Sequence, residues 1–300
     1  MEKALDSRGR AEKPEAPRDY EELIRVIHER YDSMSKGYQS IALFLTQNPN
    51  DVAVRSVSAL AERRGVHASN FVRFAQSLGY SGFKDLQELF QKRLSTAAPG
   101  FEARVKALEG ELGAREDRSE YGFLRDLVVR DVASLRALLT DVAADDLARA
   151  AELLHRAEAI YLIGQLRSAP VVDLLRYVFT MLGKRCVLLD PSGGLATHMS
   201  RTMAKNDVLV AVSFRFYATE VVNVVENVAA GGISIIAITD STLSPLAKSA
   251  DVLFAVPEHE YTFSRSLAAP MCLAQALTVA LAARLQNNAE DPRIPTVTGQ

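Results

Sequence analysis

The sequence has few of the features that mark secreted, membrane-spanning or disulfide-stabilised proteins. Its two cysteines, Cys186 and Cys272, are far apart and lie in apolar surroundings, so we predict reduced thiols rather than a disulfide framework or a zinc site. The charged N-terminal segment lacks the apolar core of a secretory signal. No run of eighteen apolar residues occurs, so no membrane span is predicted. We therefore expect a cytoplasmic protein with no membrane partner.

The motifs of common catalytic and cofactor-binding sites are also absent. There is no P-loop, nucleophile elbow or metal-binding motif, and Leu166 replaces the second glycine that a GxGxxG dinucleotide fingerprint needs. We predict no metal, no cofactor and no catalytic residue, and hence no enzyme. The cluster of Glu258, His259 and Glu260, with His198 as a further acid–base candidate, keeps an isomerase open as the alternative.

Positive charge is concentrated in one segment of a nearly neutral chain. The net charge of -2 excludes a protein that binds polyanions over its whole surface. Residues 55–93, however, contain seven lysines and arginines against three aspartates and glutamates. Because such side chains make the phosphate contacts that dominate DNA affinity, the excess indicates a nucleic-acid interface in this segment.

Residues 59–80 have the pattern of two short amphipathic helices joined by a tight turn. Apolar residues recur at helical spacing on both sides of Gly65, which is suited to end the first helix in the left-handed conformation. The second helix begins with short polar side chains, as do helices that enter a DNA major groove. An ordinary helical hairpin is the alternative. The residues predicted to be buried are Val57, Leu60, Ala61, Phe71, Val72, Ala75 and Leu78.

The second of these helices and the helix after it supply the predicted DNA contacts. Ser69 and Asn70 are expected to reach base edges. The position of Arg73 between two apolar residues predicts a partly buried side chain that contacts phosphate or braces the fold. Lys84, at the start of the next helix, is expected to contact phosphate.

Helical patterns continue to residue 158, after which apolar runs and helices alternate. Five such runs predict strands buried on both faces, and hence a doubly wound, five-stranded parallel sheet preceded by an all-α domain. We expect a helix with Leu124 and Val128 inward before the sheet, and a long apolar helix kinked at Pro270 after it. The predicted division is a disordered tail at 1–18, a helix-turn-helix domain at 19–95, a linker at 96–120, an α/β sensor domain at 121–288 and a tail at 289–300.

Ligands of an open α/β sheet bind beyond the carboxyl ends of its strands. Here those ends are followed by hydroxyl groups, helix N-termini and two arginines, Arg167 and Arg215, which suit a phosphate or a carboxylate. For Ser168 and Thr219, capping of the following helix is the alternative role. The residues predicted to bind a small effector are Gly164, Arg167, Ser168, Ser213, Arg215, Thr219, Glu220 and Glu258.

A set of short motifs in the first half of the chain carries a family resemblance. The motifs are Ile41-Ala42, Asn48-Pro49, Leu60-Ala61-Glu62, Gly65-Val66, Val72-Arg73-Phe74, Leu78-Gly79-Tyr80 and Gly82-Phe83. With them the chain resembles the bacterial MurR/RpiR transcriptional regulators, which join a helix-turn-helix domain to a SIS (sugar isomerase) domain. His67 and Ala68 stand where this family usually has Ser and Pro at the head of the recognition helix. His67 is therefore added to the predicted DNA contacts.

The second half resembles the SIS pattern less completely. Gly164 and Ser168 fit its first loop, G-x-G-x-S, although Leu166 replaces the middle glycine. Ser213 and Glu220 fit its second loop, S-x-S-G-x-T-x-E. The second Ser, the Gly and the Thr of that loop are replaced by Arg215, Phe216 and Ala218. The resemblance implies a sugar-phosphate effector, and a carboxylated or unphosphorylated sugar derivative stays open as the alternative.

These observations together predict a bacterial transcription regulator of carbohydrate metabolism. We expect a homodimer or homotetramer that binds double-stranded, palindromic operator DNA and responds to a small sugar or sugar-phosphate effector. A sugar-phosphate isomerase, or a non-catalytic sugar-binding module with a helical oligomerisation arm, is the alternative.

Overall fold

The computed structural model describes residues 15–95, 119–190, 194–215, 217–256 and 266–289. The chain divides into two compact units, Met1–Ala103 and Arg104–Gln300. Several sequence predictions lie outside the described residues: most of the N-terminal tail, nearly all of the linker, the C-terminal tail, Phe216, and the acidic cluster of Glu258, His259 and Glu260.

Six described helices form the first unit. Aromatic side chains hold them together through edge-to-face contacts, with Phe71 lying between Phe44 and Phe83 at ring-centroid distances of 5.9 and 5.6 Å. Ser35 and Ser56 accept hydrogen bonds from backbone N–H groups at the starts of two helices. The helices are α1 (Tyr20–Arg30), α2 (Lys36–Gln47), α3 (Pro49–Val54), α4 (Val57–Arg64), α5 (Ala68–Ser77) and α6 (Phe83–Ser95).

The second unit is built on a five-stranded parallel sheet, which confirms the predicted fold class. Its strand order is β2-β1-β3-β4-β5, so the direction of winding reverses between β1 and β3. The strands are β1 (Ile160–Gly164), β2 (Cys186–Leu188), β3 (Val208–Val212), β4 (Ser234–Thr239) and β5 (Val252–Ala255). The helices are α7 (Glu120–Asp141), α8 (Ala144–Arg156), α9 (Ala169–Met181), α10 (Ala196–Ser200), α11 (Thr219–Ala230) and α12 (Ala268–Ala289).

Alternate residues of each strand pack on opposite faces of the sheet. In β1, Ile160 and Leu162 contact the core formed with α8, α9 and α12, whereas Tyr161 and Ile163 contact the core formed with α10 and α11. Both faces are therefore covered, and the continuous apolar runs of the sequence follow from this double burial. The loops described below begin at the carboxyl ends of the strands.

Two helices of this unit differ from their predictions. In α7, Leu124 and Val128 are 55% and 52% exposed rather than inward, so its apolar stripe is open in the single chain. In α12, Pro270 lies in the first turn, where a missing N–H breaks no helical hydrogen bond, so no kink follows. The segment Ala268–Asn287 is long and apolar enough to cross a membrane, with a mean hydropathy of 1.5 and 39% of it buried. A core helix has the same character, and α12 packs against α7, α8 and α9.

Candidate DNA-reading helix and effector site

The turn between α4 and α5 has the predicted glycine geometry. Gly65 adopts φ 70°, and its N–H donates to the carbonyl of Glu62 at 3.0 Å. The N–H of Val66 donates to the carbonyl of Ala61, also at 3.0 Å, which completes a helix C-terminal motif. A residue with a Cβ would be strained at this φ, so the sequence fixes the turn through one glycine.

Helix α5 buries one face and leaves polar side chains on the other. Phe71, Phe74 and Ala75 are buried beneath it. His67 and Ser69 are exposed at its N-terminal end, and Asn70 is half-buried beside them. The side chain of His67 makes no capping hydrogen bond. The N-terminal end of this helix therefore carries polar groups that are not used by the helix itself.

Arg73 is exposed, so the partial burial predicted for it is wrong. It lies one turn after Ser69 and Asn70, because residues three or four apart share a helix face. Lys84, on α6, is exposed as well. Neither cation makes an ion pair with any residue that the structure describes, so both are available to phosphate.

Other cations of the basic segment are engaged within the unit. Arg93 is buried, donates to Asn50 at 2.9 Å and lies 5.2 Å from the centre of the Tyr20 ring. Arg55 and Arg63 both pair with the carboxylate of Asp51. The charge excess seen in the sequence is thus partly structural, which a count of charges cannot reveal.

At the carboxyl end of β1, Gly164 allows three segments to approach closely. A Cβ at this position would lie 2.6 Å from Cγ2 of Val172, 3.2 Å from the carbonyl oxygen of Val212 and 3.3 Å from Cβ of Ser168. The glycine therefore brings the first loop against β3 and α9. This requirement is one of space, since its φ is not in the left-handed region.

Leu166 occupies a backbone conformation that favours glycine. Its φ is 54°, and its side chain is 60% exposed. The loop thus keeps a left-handed residue at this point although the sequence supplies leucine, at a cost of about 1–2 kcal/mol. Ser168 follows in a short 3-10 turn, is buried, and makes no capping hydrogen bond to α9, so capping is not its role.

Three contacts connect the first loop to neighbouring segments. The side-chain amide of Gln165 donates to Oε2 of Glu220 at 3.0 Å. The guanidinium of Arg167 lies 4.7 Å from the centre of the Phe214 ring and donates to the carbonyl of Ser266 at 3.4 Å. The sequence did not mark Gln165 as a site residue. Its only signal was its place directly after a buried strand.

Arg215 in the second loop pairs with Asp240 at the end of β4. Nε of Arg215 lies 3.7 Å from Oδ2 of Asp240, and their side chains are 10% and 1% exposed. Oδ1 of Asp240 accepts from the hydroxyl of Thr239 at 3.3 Å. Oδ2 has no hydrogen-bond donor among the described residues. Asp240 was missed by sequence reasoning because its partner is 25 residues away in the chain.

Two other described residues of the second loop, Ser213 and Tyr217, are buried and held by backbone hydrogen bonds. The N–H of the buried Ser213 donates to the carbonyl of Ile238 at 3.0 Å. Tyr217 is buried with φ 34°, and the N–H of this residue donates to the carbonyl of Phe214 at 2.9 Å. Thr219 is the first residue of α11, and the residue before it caps the helix without a side-chain hydrogen bond.

The structure thus brings Gly164, Arg167 and Ser168 to one sheet edge with Ser213, Arg215, Thr219 and Glu220. The acid–base candidate His198 is exposed on α10. Within the described ranges, no group of three His, Cys, Asp or Glu side chains could hold a metal ion.

Family models match both units of the chain. The model of the helix-turn-helix domain of the rpiR family matches residues 21–97, and the SIS domain model matches residues 153–280. The first match includes α4, the turn and α5. The second includes all five strands and the two loops at residues 164–168 and 213–220, whose sheet edge is called the effector edge below.

Relatives with similar sequences extend over most of the chain. An uncharacterised HTH-type transcriptional regulator of Thermotoga maritima is 26% identical over 243 residues, which are 80% of this chain and 82% of that protein. HexR, an HTH-type transcriptional regulator of Pseudomonas aeruginosa, is 26% identical over 247 residues, 80% of each. Among solved structures, the NanR protein of Vibrio vulnificus in complex with ManNAc-6P covers 89% of this chain and 97% of its own, with a TM-score of 0.54 and 20% identity.

Proposed function

Because the chain belongs to the RpiR family of helix-turn-helix regulators that carry a SIS domain, we propose that it controls bacterial transcription by binding operator DNA through α5. The main support is the exposed polar N-terminal end of that helix. His67 and Ser69 are exposed there, and the side chain of His67 makes no capping hydrogen bond. Ser69 and Asn70 contact base edges, and Arg73 and Lys84 contact phosphate.

The carboxyl edge of the sheet binds the effector, a small sugar-derived metabolite. The support is the convergence of Arg167, Ser168, Ser213 and Arg215 on this edge, together with the close approach at Gly164. Planar polar groups such as guanidinium, amide and carboxylate recognise hydroxyl-rich ligands through directed hydrogen bonds. Glu258 stays a predicted contact from beyond the described residues.

The protein acts as a homodimer in the cytoplasm, and α7 supplies part of the contact between copies. Leu124 and Val128 share an exposed stripe of this helix with Tyr121, Val132 and Leu139. A second copy is the occupant that fits, because a palindromic operator is read by two copies of one chain related by a two-fold axis. Leu124→Asp combined with Val128→Asp is expected to lower the mass measured by light scattering from that of a dimer to that of a monomer.

The effector edge works by binding rather than by turnover. Its arginines and carboxylates are held in ion pairs, hydrogen bonds and ring contacts within the unit. An effector that binds one arrangement of the dimer better by a few kcal/mol is enough to switch operator occupancy. Carbohydrate catabolism supplies such a metabolite.

Selection of genomic DNA fragments on the full-length protein tests this function. The expected product is an enriched palindromic sequence with half-sites separated by about one helical turn, 10–10.5 bp. Binding to it should weaken steeply with salt, because each phosphate contact releases counterions. Aldose–ketose isomerase assays on sugar phosphates run in parallel. Turnover without any enriched sequence would overturn the proposal in favour of an enzyme.

A further inference from the structure

The second loop of the effector edge holds its arginine against a buried carboxylate. Arg215 stands where the SIS pattern has its second serine, and Asp240 lies 3.7 Å away with a side chain that is 1% exposed. A carboxylate this close neutralises the guanidinium for any ligand that reaches the edge, since both charges lie in a region of low dielectric constant.

The described charged side chains at this edge do not sum to a positive charge. Arg167 and Arg215 are set against the buried Asp240 and the half-buried Glu220 at the start of α11, with the exposed Asp190 following β2. A phosphate monoester carries nearly two negative charges at neutral pH. Bringing that dianion beside buried or half-buried carboxylates costs several kcal/mol of like-charge repulsion unless further cations arrive.

Asp240 also presents a hydrogen-bond acceptor that a ligand hydroxyl satisfies and that a phosphate group in the same position does not. Its Oδ2 is buried and has no hydrogen-bond donor among the described residues, and Nε of Arg215 at 3.7 Å is too distant to donate. A sugar hydroxyl can donate to this oxygen. A phosphate dianion has no proton to donate and would place its own oxygens against the carboxylate.

We propose that the effector is a hydroxyl-rich sugar derivative without a phosphate group, and that Asp240 is the residue that sets this specificity. The inference rests on the proposed function, because it names the class of ligand bound at the same edge. Asp240 accepts a ligand hydroxyl and holds Arg215, so the loop discriminates against phosphate monoesters.

Thermal unfolding of the full-length protein with inorganic phosphate as the probe tests the role of Asp240. Phosphate stabilises folded proteins even without a binding site, so the reference is the double variant Arg215→Gln, Asp240→Asn. At constant ionic strength, phosphate should raise the melting temperature of the wild type no more than it raises that of this variant. In Asp240→Asn, Arg215 loses the counter-charge of Asp240, and phosphate should raise the melting temperature by about 3 °C more than in the wild type. The double variant Arg215→Gln, Asp240→Asn is the matched control and should lose that rise. A rise in the wild type equal to that in Asp240→Asn would overturn the proposal.

A second measurement uses the wild type alone and does not depend on how the variants fold. Hexoses, N-acetylhexosamines, hexonates and sugar alcohols are each paired with their own phosphate monoester. An increase in melting temperature with an unphosphorylated member and not with its ester supports the proposal, and the reverse overturns it. Operator binding is measured separately. Its absence would count against the regulator function, whereas the comparison of sugars with their phosphate esters would still test the ligand class.

Discussion

The two candidate sites of this protein are prepared for their ligands in opposite ways. On α5 and α6, Ser69, Arg73 and Lys84 are exposed, and the two cations pair with no described residue of the chain. At the sheet edge, Gln165 is bonded to Glu220, and Arg215 is paired with Asp240. A DNA surface can leave its cations in water, because counterions neutralise them until phosphate arrives. A small, partly buried site holds its charged side chains in pairs, because an unpaired buried charge is costly, and Oδ2 of Asp240 is left to accept from a ligand.

This contrast predicts how substitutions divide between stability and binding. Substitutions at Ser69, Arg73 and Lys84 should change the affinity for DNA with little effect on the free energy of unfolding. Residues of the effector edge should change the stability of the α/β unit, because each is part of its internal contacts.

Replacement of Arg215 by alanine is expected to have the largest effect on stability. Asp240 would be left buried without its counter-charge, which costs about 3–5 kcal/mol of the free energy of unfolding. Chemical denaturation of the α/β unit measures this loss. Arg176→Ala is the control, since its pair with Asp173 is at the surface and should change stability by less than about 1 kcal/mol. Equal effects of the two substitutions would remove the contrast between the sites.

Replacement of Gly164 by alanine should cost about 1–3 kcal/mol, because the new Cβ would meet Val172 and the carbonyl of Val212. Gly37→Ala in the helical unit provides the comparison. A Cβ there meets no atom within 4 Å, and in the first turn of α2 alanine favours the helix by about 0.5 kcal/mol. The two substitutions should therefore change the unfolding free energy in opposite directions. The same sign for both would mean that the loop at Gly164 relaxes.

Tyr80→Phe removes a buried hydroxyl from the helical unit. The hydroxyl of Tyr80 donates to the carbonyl of Pro17 at 2.8 Å, so the variant should lose about 1 kcal/mol of the free energy of unfolding at neutral pH. Burial, with Glu22 and Asp19 nearby, raises the pKa of Tyr80 above its usual range. The stabilisation by the neutral phenol is thus complete below about pH 10 and is lost as the pH rises further.

Hydrogen exchange of α6 between pH 7 and pH 11 measures this effect. The wild type should lose protection above about pH 10, and part of that loss should vanish in Tyr80→Phe. Tyr177→Phe, at an exposed tyrosine of the other unit, is the control and should leave the profile unchanged. Profiles of the wild type and Tyr80→Phe that keep the same shape at high pH would contradict the assignment.

Leu166→Gly should have the smallest effect and the opposite sign. Glycine removes the left-handed strain of about 1–2 kcal/mol and adds about 0.5–1 kcal/mol of chain entropy to the unfolded state. A net gain of about 0.5–1 kcal/mol is therefore expected in the unfolding free energy. A loss would show that the exposed leucine side chain stabilises the loop.

The fold could be predicted from the sequence because its signals are local. Apolar runs of five or six residues predicted strands buried on both faces, and Gly65 predicted the turn before α5. Leu124 and Val128 show where this logic fails. Their spacing gave an apolar stripe correctly, yet it could not tell whether the stripe is covered within one chain.

The candidate site was harder to predict because its contacts join distant segments. Arg215 was marked by its charge and its place after a strand. Its pairing with Asp240 depends on the register of two neighbouring strands and on a loop conformation, which no spacing in the sequence encodes. The burial predicted for Arg73 failed for a related reason, since two apolar neighbours in a helix point to different faces.

Titration of selected operator DNA with wild-type protein and with the double variant Asn70→Ala, Arg73→Ala tests whether α5 reads DNA. We expect at least a 100-fold loss of affinity in the variant, from one base contact of about 1–3 kcal/mol and one phosphate contact, with a smaller salt dependence. The melting temperature of the helical unit should stay nearly unchanged, because Arg73 is exposed and pairs with no described residue. Unchanged affinity in the folded double variant would contradict the assignment of α5 as the DNA-reading helix.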